Sequence, residues 1–293
     1  MPEINLIDRS FNKDNTVNYS LSIQADRNGM AYCIFDNKYK DFIVFRKYRF
    51  EHVYMTSDLV GHIIAVLDKD ELLKLTYYAV HFLGYSQQST LVPSEYFNSA
   101  NLSDYLEFNI VGGSDGELIS NLIMPLNTYN VFSLPRPLVT LLTLHFKRVE
   151  FSNQSTPFLW YLSQAPESHK KPTVYVGLNA DFFDLAVVSD GKLMLYNTFQ
   201  YVNETDLLYY VLFVCKQLHL NMQEVSLVLS GESGSRLIYH DTLKQYIPSV
   251  QYSDASGLPP VSSALLPVVK YKYLNLLYLN TCVLLAEHIR AEK

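Results

Sequence analysis

Glycine is scarce in this sequence. Only 11 of the 293 residues are glycine, about half of the roughly 7% usage ordinary in soluble proteins. Loops that cradle phosphate present backbone N–H groups at close approach and lean on glycine to do so; few such loops fit here. Cysteine is rare and odd in number, and Cys33, Cys215 and Cys282 each fall in an apolar periodic segment. That excludes a disulfide framework and reads as buried thiols in a reducing compartment. Charged residues make up 18% of the chain and the net charge is −6, so no basic surplus exists to neutralise a nucleic-acid backbone. The eight histidines are scattered, with no His-Glu-x-x-His and no Cys-x-x-Cys pattern, which removes the usual zinc signatures. No apolar run approaches the roughly 18 residues that span a bilayer; the longest candidate is Leu207 to Cys215. The amino terminus shows no basic segment leading into an apolar one. Together these absences predict a cytoplasmic protein without a membrane span and without nucleic acid as its main partner.

What is present is a hydrophobic content of 48% over a length at which single cores usually divide, so two domains of similar size are expected. Strand patterning runs through Tyr19–Ala25, Met30–Phe35 and Phe42–Val53, with Asp26-Arg27-Asn28-Gly29 and Asp36-Asn37 as turns. Helical periodicity opens at Ser57-Asp58 and continues, with interruptions, to Phe82, with Gly84 as its stop. A strand Ser89–Val92 follows and is closed by Pro93. The second half repeats the plan: strands near Thr173–Ala180, Phe183–Ser189 and Leu193–Tyr201, a helix capped by Asn203 and Asp206, and a strand Glu224–Leu229 that breaks at Gly231. Ile23-Gln24-Ala25-Asp26 matches Leu178-Asn179-Ala180-Asp181 type for type, Met30-Ala31 answers Leu185-Ala186, and Ser89–Ser94 resembles Val225–Ser230. Matches in one order predict duplicated topology.

Between the halves, Leu106–Ile110 and Leu118–Met124 flank Gly112-Gly113-Ser114-Asp115-Gly116, a hairpin pattern. Pro135 and Pro137 open a helix through His145; a strand Arg148–Phe151 and a helix Thr156–Leu162 follow. The polar, proline-bracketed stretch Ala165–Pro172 is the expected boundary, giving domains 1–165 and 166–293. Pro267–Arg290 is expected to be helical and to pack on its own domain or to receive a partner. The 23 tyrosines, among them Tyr39, Tyr54, Tyr78 and Tyr209, suit either a recognition surface or the core and rim of two sheets.

Two copies of strand-strand-strand-helix-strand-helix resemble the actin-like ATPase superfamily. The resemblance implies an α/β fold of two ribonuclease-H-like halves of duplicated topology around a cleft. Thr173–Lys192 is similar to that superfamily's second phosphate segment, as found in actin-like pilus-assembly and secretion proteins: a strand, Asp, apolar, Gly, two small residues, Thr-Thr-Asp, a second strand and an Asp-Gly-Lys hairpin. The chain as a whole also resembles a bacterial family with this fold and no established activity. Carried across, Asp184 falls on the second acid and Asp190-Gly191-Lys192 on the hairpin. Gly177 stands where the superfamily has its first Asp, Asn179 where it has Gly, Ala180 and Asp181 at the small residues, and Phe182-Phe183 at the threonines. In the first half Gln24 replaces the Asp, Asp26 the Gly, and Arg27-Asn28 the hydroxyls. The adenosine-side turn is best kept, as Gly231-Glu232-Ser233-Gly234.

The candidate ligand residues are therefore Gln24, Asp26, Arg27, Asn28, Asn179, Asp181, Asp184, Gly231, Glu232 and Ser233. The resemblance implies ATP and magnesium, but the substitutions remove glycine and bring carboxylates toward where phosphates would sit, which is unfavourable without a bridging cation. In the implied fold Asp26 and Asp181 face each other and form a candidate metal pair; their other reading is as turn caps. Gln24 and Gly177 leave a ribonuclease-H nuclease short of carboxylates. Gly231-Glu232-Ser233-Gly234-Ser235 looks like a nucleophile elbow or, more plainly, like the turn capping a helix from Ser235. The functional expectation is a non-catalytic actin-fold interaction or scaffold protein with a protein partner, the alternative being an ATP-binding enzyme, an ATPase or small-molecule kinase, with unorthodox residues.

Overall fold

The computed structural model describes residues 1–109, 114–165, 171–232 and 236–291, the side chains of 236–238 and 283–291 excepted. The chain divides into two units. The first holds Met1–Pro157, Leu258–Val268 and Leu276–Lys293, and the second Phe158–Gly257 and Val269–Asn275. Residues 166–170, in the stretch expected as the boundary, lie outside the described residues.

In the first unit β1 (Ile4–Ile7), β2 (Tyr19–Asp26), β3 (Gly29–Asp36) and β4 (Asp41–Arg49) form an antiparallel set. The expected turns make the connections: Asp26 accepts from the N–H groups of Asn28 and Gly29, and Asp36 from those of Lys38 and Tyr39. Gly29 is required there by proximity, since a Cβ would lie 2.1 Å from the Tyr48 carbonyl oxygen. α1 (Thr56–Lys69) follows, with Asp58 accepting from the N–H groups of Tyr54 and Met55 ahead of it.

The stretch expected to end that helix is instead a strand, β5 (Ala79–Gly84), parallel to β2. Val80, His81, Phe82 and Leu83 are all buried, as in a parallel strand covered on both faces, and such a run carries no period that separates it from a buried helix. A separate antiparallel sheet, in the order β6-β8-β7, holds β6 (Ser89–Pro93), β7 (Glu117–Ile123) and β8 (Thr128–Leu134). Against it packs α2 (Leu102–Asn109), around Val92, Leu106 and Val131. This corrects a second expectation: Leu106–Asn109 is helix, and the hairpin partner of β7 is β8, joined through Asn127 at φ 47°. Gly112 and Gly113 lie outside the described residues. α3 (Arg136–His145) leads into β9 (Glu150–Asn153), which completes the main sheet in the order β1-β4-β3-β2-β5-β9. α4 (Ser155–Gln164) begins in the first unit and continues into the second.

The second unit is built on β10 (Thr173–Leu178), β11 (Phe182–Ser189) and β12 (Lys192–Gln200). Asp190 and Gly191, at φ 51° and 72°, are the two left-handed residues of a tight hairpin. α5 (Glu204–Gln217) has the expected capping box: Asn203 Oδ1 accepts from Thr205 and Asp206 N–H, and Asp206 accepts from Asn203 N–H. β13 (Ser226–Gly231), α6 (Arg236–Lys244) and β14 (Ser249–Tyr252) give the order β12-β11-β10-β13-β14. Val176, Phe183, Leu185, Leu207, Val211 and Leu227 are in its core.

β4-β3-β2-β5-β9 and β12-β11-β10-β13-β14 are one topology used twice. The register fixes the equivalence: Ala25 lies opposite Met30 and Gly84, and Leu178 opposite Phe183 and Gly231. Gln24 therefore answers Gly177 and Asp26 answers Asn179, as the superfamily motif has it. The type-for-type match of Asp26 with Asp181 is out of register, and the counterpart of β13 is β5, not Ser89–Val92.

The last segment returns to the first unit. Phe42 and Val261 form a parallel bridge, Phe42 N–H donating to Pro260 and Ser262 N–H to Phe42. α7 (Leu274–Ala291) starts in the second unit and belongs from Leu276 onward to the first. The tyrosines split: Tyr77, Tyr273 and Tyr278 are buried, while Tyr39, Tyr54, Tyr78 and Tyr209 are exposed. Among the described residues no helix is long and apolar enough to cross a membrane.

Candidate functional site

In the second unit the motif residues gather at the C-terminal ends of β10 and β13. Such ends are where open α/β sheets present their ligand crevices. Gly177 sits under Phe158, whose ring carbon would stand 3.2 Å from an added Cβ. Asn179 is buried, and its amide donates to Asp184 Oδ2 at 3.0 Å and to the Gly177 carbonyl. Asp184 has no exposed surface; its Oδ1 accepts from Tyr196 Oη at 2.7 Å and Thr198 Oγ1 at 3.0 Å. The loop backbone is engaged as well: Asn179 N–H donates to Phe182, Tyr201 N–H to Asp181, and Tyr201 Oη to the Asn179 carbonyl. Burial, with the neighbouring Tyr239, pushes the Tyr201 hydroxyl up, so it stays a donor. Phe182 and Phe183 are buried, Phe183 packing its ring against Phe199, Tyr201 and Tyr210.

Gly231 ends β13 at φ 87°, where a Cβ would meet the Leu178 carbonyl oxygen at 2.0 Å. Glu232 beside it accepts from Lys272 at 3.5 Å. Asp181 is exposed on the loop. Ser233, with Gly234 and Ser235, lies outside the described residues. The structure thus brings Asn179, Asp184 and Gly177 into one bonded cluster, with Gly231 next to Leu178.

In the first unit Gln24 accepts a long bond, 3.4 Å, from Tyr85 Oη. Asp26 Oδ1 is occupied by its own turn, at 2.7 Å from Asn28 N and 3.1 Å from Gly29 N. Arg27 and Asn28 are exposed at the tip. Nearby, Tyr85, Ser86, Gln88, Ser114, Ser133 and Arg136 help line a polar hollow of about 480 Å³. Among the described residues no group of three or more His, Cys, Asp and Glu side chains is placed to hold a metal ion.

Sequence reading missed a heavily bonded carboxylate of the first unit. Asp70, at the end of α1, accepts from Arg46 at 2.6 Å, Tyr48 Oη at 2.6 Å, Tyr32 Oη at 2.7 Å and Leu72 N–H at 3.0 Å. Burial opposes its ionisation, but the bonds from Tyr48, Tyr32, Leu72 and Arg46 outweigh it and hold the carboxyl below its ordinary value. The same burial and the facing carboxylate push Tyr48 up to about 12 and raise Tyr32 further. No sequence signal marked it: Arg46 stands in a run of Arg46-Lys47-Tyr48-Arg49, and only the folded sheet sets it directly across from Tyr32 and on the same strand face as Tyr48.

Residues 8–250 match the profile of a family described as protein of unknown function, DUF3822. No curated protein matches the chain. A crystal structure from Bacteroides thetaiotaomicron VPI-5482, described as a protein with actin-like ATPase fold and unknown function, is similar at 22% identity and a TM-score of 0.76, over 83% of this chain and 94% of that one. A chain of the PilM-PilN type IV pilus biogenesis complex is similar at 9% identity and a TM-score of 0.62, over 92% and 98%. The fold is accordingly that of the actin-like ATPases, with two ribonuclease-H-like domains. With the profile match running over most of its length, the chain belongs to the DUF3822 family of proteins of unknown function.

Proposed function

We propose that this protein is a non-catalytic member of the actin-like fold that acts as an interaction or scaffold module, its phosphate loops having been converted into structure. The observation that carries this reading is the closed cluster of Asn179, Asp184, Tyr196 and Thr198, with Phe158 laid over Gly177. A bound triphosphate needs free backbone donors at close approach and a cation on carboxylates. Here the Asn179 backbone N–H is committed to Phe182, and both oxygens of the buried Asp184 accept from neighbouring side chains. Asp26 is committed to its turn in the same way. The residues present do not fit ATP with magnesium.

A fold that has given up a cleft ligand keeps its surface for partners, and the PilM-PilN type IV pilus biogenesis complex is a precedent within the fold. The buried free thiols of Cys33, Cys215 and Cys282 support work in a reducing, cytoplasmic compartment. Thermal melting and calorimetry of the full chain with ATP, ADP and magnesium test the reading. Nucleotide at 100 times its dissociation constant would add about 2.7 kcal/mol of stability; no shift is expected. Magnesium-dependent ATP binding at mid-micromolar affinity or tighter would overturn it and favour the enzyme, an ATPase or small-molecule kinase.

A further inference from the structure

A cleft of about 850 Å³ opens wholly within the first unit, among β1, β4, α1 and the residues that follow α1. Its size lies in the range of about 300–1,000 Å³ usual for small-molecule sites. Phe50, Val66 and Leu72 give it a buried apolar floor, and the Phe50 ring is held by a stacked His62 at 4.9 Å. Arg46 is fixed in the wall by Asn5 on Nε and Asp70 on a terminal nitrogen, both at 2.6 Å.

The charges around this floor do not cancel. Asp70 is matched by Arg46, and Glu71 at the rim is paired with Lys74 at 2.7 Å. Lys13, Arg49 and Lys69 also line the cleft, are exposed, and are in no ion pair among the described residues. Three surplus cations therefore converge on one hollow of a chain whose net charge is −6. A concave wall of one sign over low-dielectric residues concentrates counter-ions.

We propose that this cleft binds a small amphiphilic anion, a carboxylate or phosphate ester on an apolar body. The apolar body lies on Phe50, Val66 and Leu72, and the head group meets Arg49, Lys69 and Lys13. An apolar floor orders the body, and cations at the rim choose the head, the usual division of labour in such sites. The inference stands apart from the fate of the phosphate loops, because no residue of the superfamily motif lines the cleft.

Calorimetry and thermal melting of the full chain with octanoate, phenyl phosphate, octanol and octylamine test it. One or both anions should bind one per chain and raise Tm, the tighter of the two identifying the head group, while octanol and octylamine bind at least tenfold more weakly. The double variant Arg49→Glu/Lys69→Glu alters exposed side chains and should melt like the parent but lose at least tenfold in affinity. Ala65→Trp, which fills the hollow and leaves every charge in place, should abolish binding and decides the matter if the charge-reversed chain does not fold. Failure of both anions to bind, octanol binding as tightly as octanoate, or parent-like affinity in the variants would overturn the proposal.

Discussion

At Gly231 two constraints coincide. The backbone is left-handed, and a Cβ would lie 2.0 Å from the Leu178 carbonyl oxygen. Gly231→Ala should therefore cost about 2 kcal/mol or more, seen as a lower urea midpoint with an unchanged slope. Asp184→Ala leaves Asn179, Tyr196 and Thr198 without their buried acceptor and should cost about 3 kcal/mol by the same measurement; a loss below about 1 kcal/mol would mean that the cluster does not hold the loop. For Asp70 the sign follows from its lowered carboxyl. The stabilisation is complete above the unfolded-state value near 3.8 and is lost as pH falls through the lower folded-state value. Asp70→Asn should be less stable than the parent at neutral pH, and the two should converge in acid, as followed by urea midpoints across the range. Which of these residues was legible depended on how local its partners are. Asp26 and its turn are written within a few positions. Asp70 meets Arg46, Tyr32 and Tyr48 only because two strands, β3 and β4, and a helix end come together.

The elements divide along the same physical line. α5 announces itself through Asn203 and Asp206, three residues apart, and Asn203→Ala should cost about 1 kcal/mol, checked by urea titration. The Asp190-Gly191 hairpin is equally local. β5 was hidden because a strand buried on both faces shows continuous apolar residues and no alternation. α2 was readable in principle, since Leu102 and Leu106 are four apart and Asn98 caps the turn ahead of it, but the glycines after Ile110 suggested a hairpin and drew the reading toward strand. The duplication was legible as an order of elements, while its register was not: side-chain matches two residues out of step are as good in letters as the true ones. Only the pairing of Ala25 with Gly84 and of Leu178 with Gly231 fixes it.

For the whole chain, composition spoke most clearly through cysteine. Cys33, Cys215 and Cys282 are buried and unpaired, and burial alone pushes Cys215 up to about 11 and the other two upward as well. Thiolate is the reactive form, so a colourimetric thiol reagent should count no cysteine in the native protein over minutes and all three in denaturant; a native thiol that reacts at once would place a route to solvent beside it. The return of the chain to the first unit was beyond sequence reading, since nothing in Leu258–Val268 names Phe42 as its neighbour.

That return has a consequence for the order in which the protein can be made. The ribosome delivers β1 to β9 early, yet the first unit still lacks the strand-like contact at Val261, the buried Leu265 and the body of α7 until the stretch Phe158–Gly257 of the second unit has been made. The half that is begun first is finished last. A nascent chain stalled after Gly257 would hold a first unit with the edge at Phe42 open, available to chaperones, while the stretch from Phe158 onward needs only the few residues from Val269 to Asn275 to be complete.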